Sequence, residues 1–147
     1  MSVEPLTAEP LSPVDALVQL SFQIQGVLSD VAAEYELSII QFRLLGILRD
    51  RQAGMLALGR HLGLDKSSMT GLVSRAEKRG LVQRAPSPHD GRAVLVSLTP
   101  LGSRLADQCT AEVGRRITAL TARLGDARLA RLTQDIGELV PRLVERS

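Results

Sequence analysis

The segment from Leu58 to Thr99 constrains the fold of this 147-residue chain more than any other part of it. Two short helical patterns in the segment are separated by Gly63-Leu64-Asp65, and two short strand patterns follow them. A connection rich in turn residues, 86–92 (PSPHDGR), joins the two strand patterns. The order helix, turn, helix and hairpin is the order of a winged helix, so the sequence predicts that fold for this segment.

The second helical pattern, from Asp65 to Arg79, has one apolar and one polar face. The apolar residues recur at the spacing of a single helix face and are expected to contact a core: Met69, Leu72, Val73 and Ala76. The opposite face carries short hydroxyl side chains and cations: Ser67, Ser68, Thr70, Ser74, Arg75 and Lys78. Short side chains let a helix approach base edges, and the cations can donate to guanine or phosphate. Taken alone, this face is equally typical of an ordinary surface helix.

The connection between the strands supplies the second group of candidate residues. Asp90-Gly91 is a turn signal that places Arg92 at the tip of the hairpin. An arginine there suits a narrow minor groove, because its planar cation is weakly hydrated and the groove potential is negative. Asp90 is expected to orient that guanidinium, and Arg84 and His89 are expected to contact phosphates. With the polar helix face beside it, the hairpin favours DNA binding over a charged surface turn.

The charge of the chain is concentrated in the same segment. The formal net charge of +2 says little by itself. Between Arg60 and Arg92, however, seven basic residues stand against three acidic ones, so this segment carries +4 while the remaining 11 basic and 13 acidic residues carry −2. Positive charge collected in this way is the expected footprint of a phosphate-bearing partner. Double-stranded DNA is therefore the predicted partner.

Helical patterns flank the segment on both sides. Ser12-Pro13 and the Ser38-x-x-Gln41 motif are signals for helix starts, and the second helix is expected to end at about Arg51. Thr99-Pro100 starts a long helix, and a last helix follows Gly125-Asp126. The apolar stripes of the terminal helices are more than a chain of this size can bury alone, which predicts a homodimer.

These patterns define a mainly α fold: a winged helix-turn-helix with a small β-hairpin wing and N- and C-terminal dimerisation helices. Residues 1–11 are expected to form a flexible arm, and residues 12–147 a single domain. Within it, residues of about 37–99 form the DNA-binding part, and those of about 12–36 and 100–147 form the dimerisation helices. The second helix has one apolar face, and three apolar residues share one face of the second strand: Ile40, Leu44, Ile47 and Leu48 on the helix, and Val94, Val96 and Leu98 on the strand. The strands themselves are expected at Leu81–Arg84 and Ala93–Leu98.

Several other classes of protein are disfavoured by the composition. A single cysteine, Cys109, excludes an internal disulfide framework, and no apolar run approaches the length of a membrane-spanning helix. The first thirteen residues hold no basic residue, unlike a signal peptide, so a cytoplasmic location is expected. His61 and His89 lack partners at ligand spacing, and no catalytic motif is present, so we expect no metal, no cofactor and no enzyme activity.

Three stretches resemble the MarR family of transcriptional regulators. Residues 90–99 (DGRAVLVSLT) are similar to the D-x-R…L-T wing signature of that family. Residues 62–70 (LGLDKSSMT) and 77–82 (EKRGLV) resemble its recognition helix and the exit from it. The likeness extends over nearly the whole chain, with one departure at Ala76, where the family commonly has a larger aliphatic residue. The resemblance implies a homodimer of the first, fifth and sixth helices that binds a pseudo-palindromic operator and usually represses.

The resemblance also adds candidates that the residues alone do not supply. Members of the family often bind small aromatic or anionic effectors, so such an effector is a candidate partner. Some members use reactive cysteines, but Cys109 lies on an apolar stripe and is interpreted as an inert core residue. The alternative to DNA binding is a winged helix that serves as a protein–protein interaction module, and an enzyme is a more distant third.

Overall fold

The computed structural model describes residues 9–141, so residues 1–8 of the predicted arm and residues 142–147 of the predicted dimerisation helices lie outside it. The described chain begins with α1 (Pro13–Glu34), α2 (Ile39–Leu48), β1 (Ala53–Gly54), α3 (Met55–Leu62) and α4 (Lys66–Lys78). It continues with β2 (Val82–Pro86), β3 (Val94–Leu98), α5 (Pro100–Thr121), a 3₁₀ turn (Ala122–Leu124) and α6 (Gly125–Leu139). The predicted mainly α fold with a small antiparallel sheet is confirmed.

The helix starts follow from side chains that accept a hydrogen bond from the first turn. Ser12 Oγ accepts from the Asp15 main-chain N–H at 3.1 Å, with Pro13 at the first helical position. Ser38 and Gln41 form the predicted capping box, each side chain accepting from the other's main-chain N–H. The second helix ends at Leu48 rather than near Arg51, because the chain must already be extended to pair as β1.

The sheet has the strand order β1-β3-β2, and both pairings are antiparallel. Val96 in the central strand pairs with Ala53 on one side and with Arg84 on the other, and it is fully buried. Val94 lies on the same face of the strand as Val96, as predicted, but it is 39% exposed. It pairs with Pro86 at the last position before the hairpin loop.

The described chain divides into two compact units, of which the first ends at Val113 and the second begins at Gly114. The core of the first unit is aliphatic and includes the largest fully buried side chains: Val31, Leu44, Leu58, Met69, Leu72, Val73, Val82 and Val96. The inward face predicted for α4 is confirmed residue by residue. On α2, Leu45 is buried in place of the predicted Ile40 and Ile47, which are only half-buried.

The second unit contains the end of α5, the 3₁₀ turn and α6. None of its described residues is fully buried, although α6 carries the predicted apolar stripe. Leu129 and Leu132 are half-buried, whereas Ile136 and Leu139 are exposed, Leu139 by 69%. The described part of this unit therefore leaves apolar surface in contact with solvent.

The start of α5 is fixed against the end of the preceding helix. The Thr99 main-chain N–H donates to Leu81 O at 3.0 Å, and the Thr99 hydroxyl donates to Gly80 O. Thr99 Oγ1 in turn accepts from the Gly102 N–H at 3.0 Å. A β-carbon at Gly102 would overlap Leu81 O, so only glycine permits this approach.

Candidate nucleic-acid interface

The turn between α3 and α4 sets the direction of the polar helix. Gly63 adopts a left-handed conformation with φ 67°, and the Leu64 N–H donates to Gly59 O at 2.9 Å, which ends α3. Asp65 then caps α4, its Oδ1 accepting from the Ser68 N–H at 2.7 Å. This hydrogen bond lowers the pKa of the Asp65 carboxyl, so the cap is charged at neutral pH.

The polar face of α4 is open to solvent as predicted. Its exposed candidates are Ser67, Ser68, Thr70, Arg75 and Lys78, and Ser74 is half-buried. The Thr70 hydroxyl donates to Lys66 O at 2.8 Å, which leaves its lone pairs toward solvent. The Arg75 guanidinium lies back over Gly71, with Nη1 only 3.0 Å from where a β-carbon would stand. Gly71 thus makes room for a cation on the helix surface.

The hairpin loop, residues 87–93, is closed by its own main chain. The Ser87 N–H donates to Ala93 O at 2.9 Å, and the Ala93 N–H donates to Asp90 O at 3.0 Å. Ser87 Oγ accepts from the His89 N–H at 3.3 Å. His89, Asp90 and Arg92 are all exposed on this loop. The loop therefore presents Arg92 on a locally hydrogen-bonded turn.

Asp90 acts on this turn in a way that differs from the prediction. Its Oδ1 accepts from the main-chain N–H of Arg92 at 3.0 Å. The carboxylate therefore shapes the backbone under Arg92 and does not hold the guanidinium. Among the residues that the structure describes, no hydrogen bond or ion pair engages the Arg92 guanidinium, so it is available to a partner.

Arg84 and Ser74, predicted as separate DNA contacts, meet each other in the structure. Arg84 Nη2 donates to Ser74 Oγ at 2.8 Å, and Arg84 Nε lies 3.8 Å from Glu77 Oε2. The pairing joins β2 to α4 across ten residues of sequence. Sequence patterns do not reveal such a contact, because it depends on how the strand packs against the helix.

A cavity of about 650 Å³ opens between α3, the start of α4 and the two long strands. Its walls combine apolar side chains with three cations, Arg60, Lys66 and Arg84. Thr70 also lines it, and no acidic residue does among those the structure describes. Arg60 and Lys66 are functional candidates that sequence reasoning missed. The positive charge count of the segment includes them, but only the fold shows that they share one cavity with Arg84.

Other candidate chemistry is not assembled in the described residues 9–141. No group of three or more His, Cys, Asp or Glu side chains in this range is placed to hold a metal ion. Cys109 is buried in the first unit, and burial raises the pKa of its thiol. Both observations favour the interpretation of an unreactive core residue. No helix in this part of the chain is long and apolar enough to cross a membrane.

Comparison with known proteins places this geometry in a family. Residues 35–93 match the model of the MarR family. The regulator PecS of Dickeya dadantii is 30% identical over 111 residues, which are 73% of this chain and 67% of that protein. The multiple antibiotic resistance protein MarR of Escherichia coli K12 is 28% identical over 132 residues, 88% of this chain and 92% of that protein.

Solved structures agree with the sequence relatives. Wild-type MarR from E. coli in its apo form superimposes with a TM-score of 0.76 at 25% identity, covering 91% of this chain and all of that chain. NadR in complex with 4-hydroxyphenylacetate gives a TM-score of 0.71 at 25% identity, covering 92% of this chain and 96% of that one. The fold, the exposed polar helix and the sequence relatives agree: this chain belongs to the MarR family and is a DNA-binding transcriptional regulator, not an enzyme.

Proposed function

We propose that the protein is a homodimeric repressor that binds a pseudo-palindromic operator. The observation that carries the proposal is the exposure of two features, the polar face of α4 and the hairpin loop that bears Arg92. A helix in the major groove and an arginine beside it can contact base edges and the adjacent minor groove. Repression also appears in the names of relatives, among them the HTH-type transcriptional repressor NicR of Pseudomonas putida.

The proposed contacts divide by groove. Major-groove contacts are assigned to the polar face of α4: Ser67, Ser68, Thr70, Ser74 and Arg75. Lys78 and His89 are assigned to phosphates, and Arg92 to the minor groove, with Asp90 supporting the backbone of its turn. The phosphate contact predicted for Arg84 is less well supported, because Ser74 and Glu77 already engage its guanidinium.

Dimerisation is supported by apolar side chains that the described chain leaves in solvent. On and just before α1 these are Leu11, Val14, Leu17, Val18 and Phe22, and near the end of the described chain they are Ile136, Leu139 and Val140. Exposed apolar side chains repeated along a helix in this way are typical of an interface. A two-fold dimer would present two α4 helices to half-sites about one helical turn apart.

Arg92→Ala is the variant that tests DNA binding. Its guanidinium is free of described partners, so we expect operator affinity to fall by about 10- to 100-fold while the melting temperature stays unchanged. The slope of log K against log[salt] should become shallower by about 0.9, since one phosphate-region cation is lost. Fluorescence anisotropy with duplex DNA from upstream of the protein's own gene measures both quantities.

The control for this experiment is Arg128→Ala, which removes an equal charge from an exposed position on α6. This variant should bind as the wild type does. Equal losses of operator affinity in Arg92→Ala and Arg128→Ala would indicate general attraction between the protein's charge and DNA instead of a minor-groove contact. Wild-type protein that binds no duplex selectively, in this and in a genome-wide DNA selection, would instead support the protein-interaction module.

We further infer that an aromatic carboxylate is the effector and occupies the 650 Å³ cavity. The cations of Arg60 and Lys66 and the apolar walls suit an aromatic anion, and NadR is a structural relative in complex with such a compound. Lys66 and Thr70 line the cavity and belong to the exposed start of α4. A ligand there would therefore compete with DNA.

The effector proposal predicts that 4-hydroxyphenylacetate raises the melting temperature of the protein and weakens operator binding. Arg60→Gln should reduce ligand affinity by about tenfold, because it removes one charge-assisted hydrogen bond. The neutral amide of the same compound serves as the control ligand and should bind weakly. Isothermal titration calorimetry decides: binding that is unaffected by Arg60→Gln would place the ligand outside this cavity.

A further inference from the structure

Arg84 extends from the side of the sheet that faces the helices. It pairs with Val96, and cross-strand partners in an antiparallel sheet lie on the same face. Val96 is fully buried, so this face is the one that packs onto the core. β2 is the edge strand beside β3 and contacts α4. A cation on this face of an edge strand is directed toward α4 and not away from the protein.

The Arg84 guanidinium meets two groups on one side of α4. Nη2 donates to Ser74 Oγ at 2.8 Å, and Nε lies 3.8 Å from Glu77 Oε2. Ser74 and Glu77 are three residues apart, so they lie on adjacent turns of the same helix face. The planar guanidinium has donors in fixed directions and can reach both groups at once, which a lysine ammonium cannot do with the same geometry.

These contacts change what Arg84 and Ser74 can offer to DNA. The Glu77 carboxylate offsets much of the Arg84 charge that a phosphate would otherwise attract. Ser74 uses an oxygen lone pair to accept from Arg84, and its own O–H remains able to donate. The pairing therefore holds the Ser74 hydroxyl oxygen in place while leaving its proton for an acceptor on a base edge.

The geometry points to Arg84 as a positioning residue that fixes the hairpin against α4. β2 leads directly into the loop that bears Arg92, so a tie between β2 and α4 sets where Arg92 stands relative to the polar helix face. The inference rests on the proposed DNA-binding function and gives Arg84 a role through Arg92 and Ser74. It replaces the direct phosphate contact that the sequence predicts for Arg84.

The deciding experiment is a double-mutant cycle of Arg84→Gln and Arg92→Ala, with operator affinity measured across a range of salt concentrations. We expect Arg84→Gln to lower operator affinity about threefold to tenfold and, in the Arg92→Ala background, to leave the salt slope unchanged. In the Arg84→Gln background, Arg92→Ala should cost much less than in the wild type, because the hairpin is no longer held in place. Arg84→Lys should behave like Arg84→Gln, since lysine keeps the positive charge but lacks the planar guanidinium that reaches Ser74 and Glu77 at once.

A phosphate contact would give the opposite results. In the Arg92→Ala background, Arg84→Gln would then make the salt slope shallower by about a further 0.9. Arg84→Lys would resemble the wild type, and the effects of the two arginine substitutions on binding free energy would be additive. Any of these outcomes overturns the positioning role. Similar melting temperatures for the single variants exclude a loss of fold as the cause.

A second cycle, of Arg84→Gln and Ser74→Ala, is measured without DNA by urea unfolding. Coupling between the two substitutions supports the contact, and strictly additive effects would contradict it. This cycle separates the two proposals. If the wild type bound no DNA selectively, the proposed function would fail while the tie between β2 and α4 could still be confirmed or rejected.

Discussion

Of all glycine-to-alanine substitutions in the part of the chain that the structure describes, Gly102→Ala should destabilise the protein most. The new β-carbon would overlap Leu81 O and would stand 2.8 Å from the Leu81 carbonyl carbon and 3.2 Å from its Cα. These are main-chain atoms, so no side-chain rotation relieves the overlap. The start of α5 or the segment before β2 must move as a whole.

Movement of either segment also breaks the hydrogen bonds that Thr99 makes with Gly80, Leu81 and Gly102. Thr99 donates through its main-chain N–H to Leu81 O and through its hydroxyl to Gly80 O. Its hydroxyl oxygen also accepts from the Gly102 N–H at the start of α5. Gly80 itself has φ 74°, so the receiving segment is already in a conformation that few residues adopt. We expect the free energy of unfolding to fall by about 3 kcal/mol or more and the melting temperature by about 10 °C.

Gly46→Ala provides the matched control. Gly46 lies inside α2, and a β-carbon built on it would have no atom within 4 Å apart from its chain neighbours and the nearby main chain of its own helix, so the added methyl group overlaps nothing. It should leave stability unchanged or raise it by up to about 1 kcal/mol, as alanine favours a helix. Calorimetry at one fixed protein concentration compares the two variants, because a dimer makes the melting temperature depend on concentration. If Gly102→Ala and Gly46→Ala had the same melting temperature, the close approach of Gly102 to Leu81 O would be refuted.

Local interactions explain what the sequence predicts well. The helix caps at Ser12 and Ser38 each join groups three residues apart, so their signals lie within a short stretch of sequence. The buried face of α4 is likewise predicted correctly, because a helix with one side against a core repeats its apolar residues at a fixed spacing. Both kinds of signal are readable without knowledge of the tertiary fold.

Contacts between distant segments explain what the sequence does not predict. Leu45 is buried in place of Ile47 because the position of α2 against its neighbours, and not its own pattern, selects the inner face. The tie of Arg84 to Ser74 and the approach of Gly102 to Leu81 also depend on packing between elements. In each case the residue type is visible in the sequence, but its partner is not.

The site shows the same division. The polar face of α4 and the exposed Arg92 follow from periodicity and turn chemistry, and the structure places them as expected. The predicted role of Asp90 is wrong, since a carboxylate two residues before an arginine can accept equally from its backbone or from its guanidinium. Only the loop conformation decides between these two donors.

Leu139→Asp should convert the proposed dimer to a monomer. Leu139 is 69% exposed in the single chain, and the proposed interface would bury it on α6. An aspartate there would lose the apolar contact and bring an unpaired charge into the interface. Together these effects should raise the dimer dissociation constant by a factor on the order of 10³. Phe22→Asp, on the exposed face of α1, should act in the same way.

Leu56→Asp is the control for both substitutions. Leu56 is 71% exposed, as large and as apolar as Leu139, but it belongs to α3 and not to the terminal helices. Analytical ultracentrifugation should find this variant dimeric. A wild type that is monomeric at every concentration, or a Leu139→Asp protein that remains a dimer, would contradict the proposed interface.

The monomeric variant also separates dimerisation from base recognition. Each protomer keeps its own α4 and hairpin, because Leu139 is remote in sequence from both and contributes nothing to the buried core of the described chain. We therefore expect Leu139→Asp to bind a full operator no more tightly than a half-operator, whereas the wild type should prefer the full site strongly. The preference arises because binding of one half-site raises the effective concentration of the second α4 at the other. If Leu139→Asp were monomeric and still bound the full operator more tightly than the half-operator, dimerisation would not be the cause of the preference for the full site.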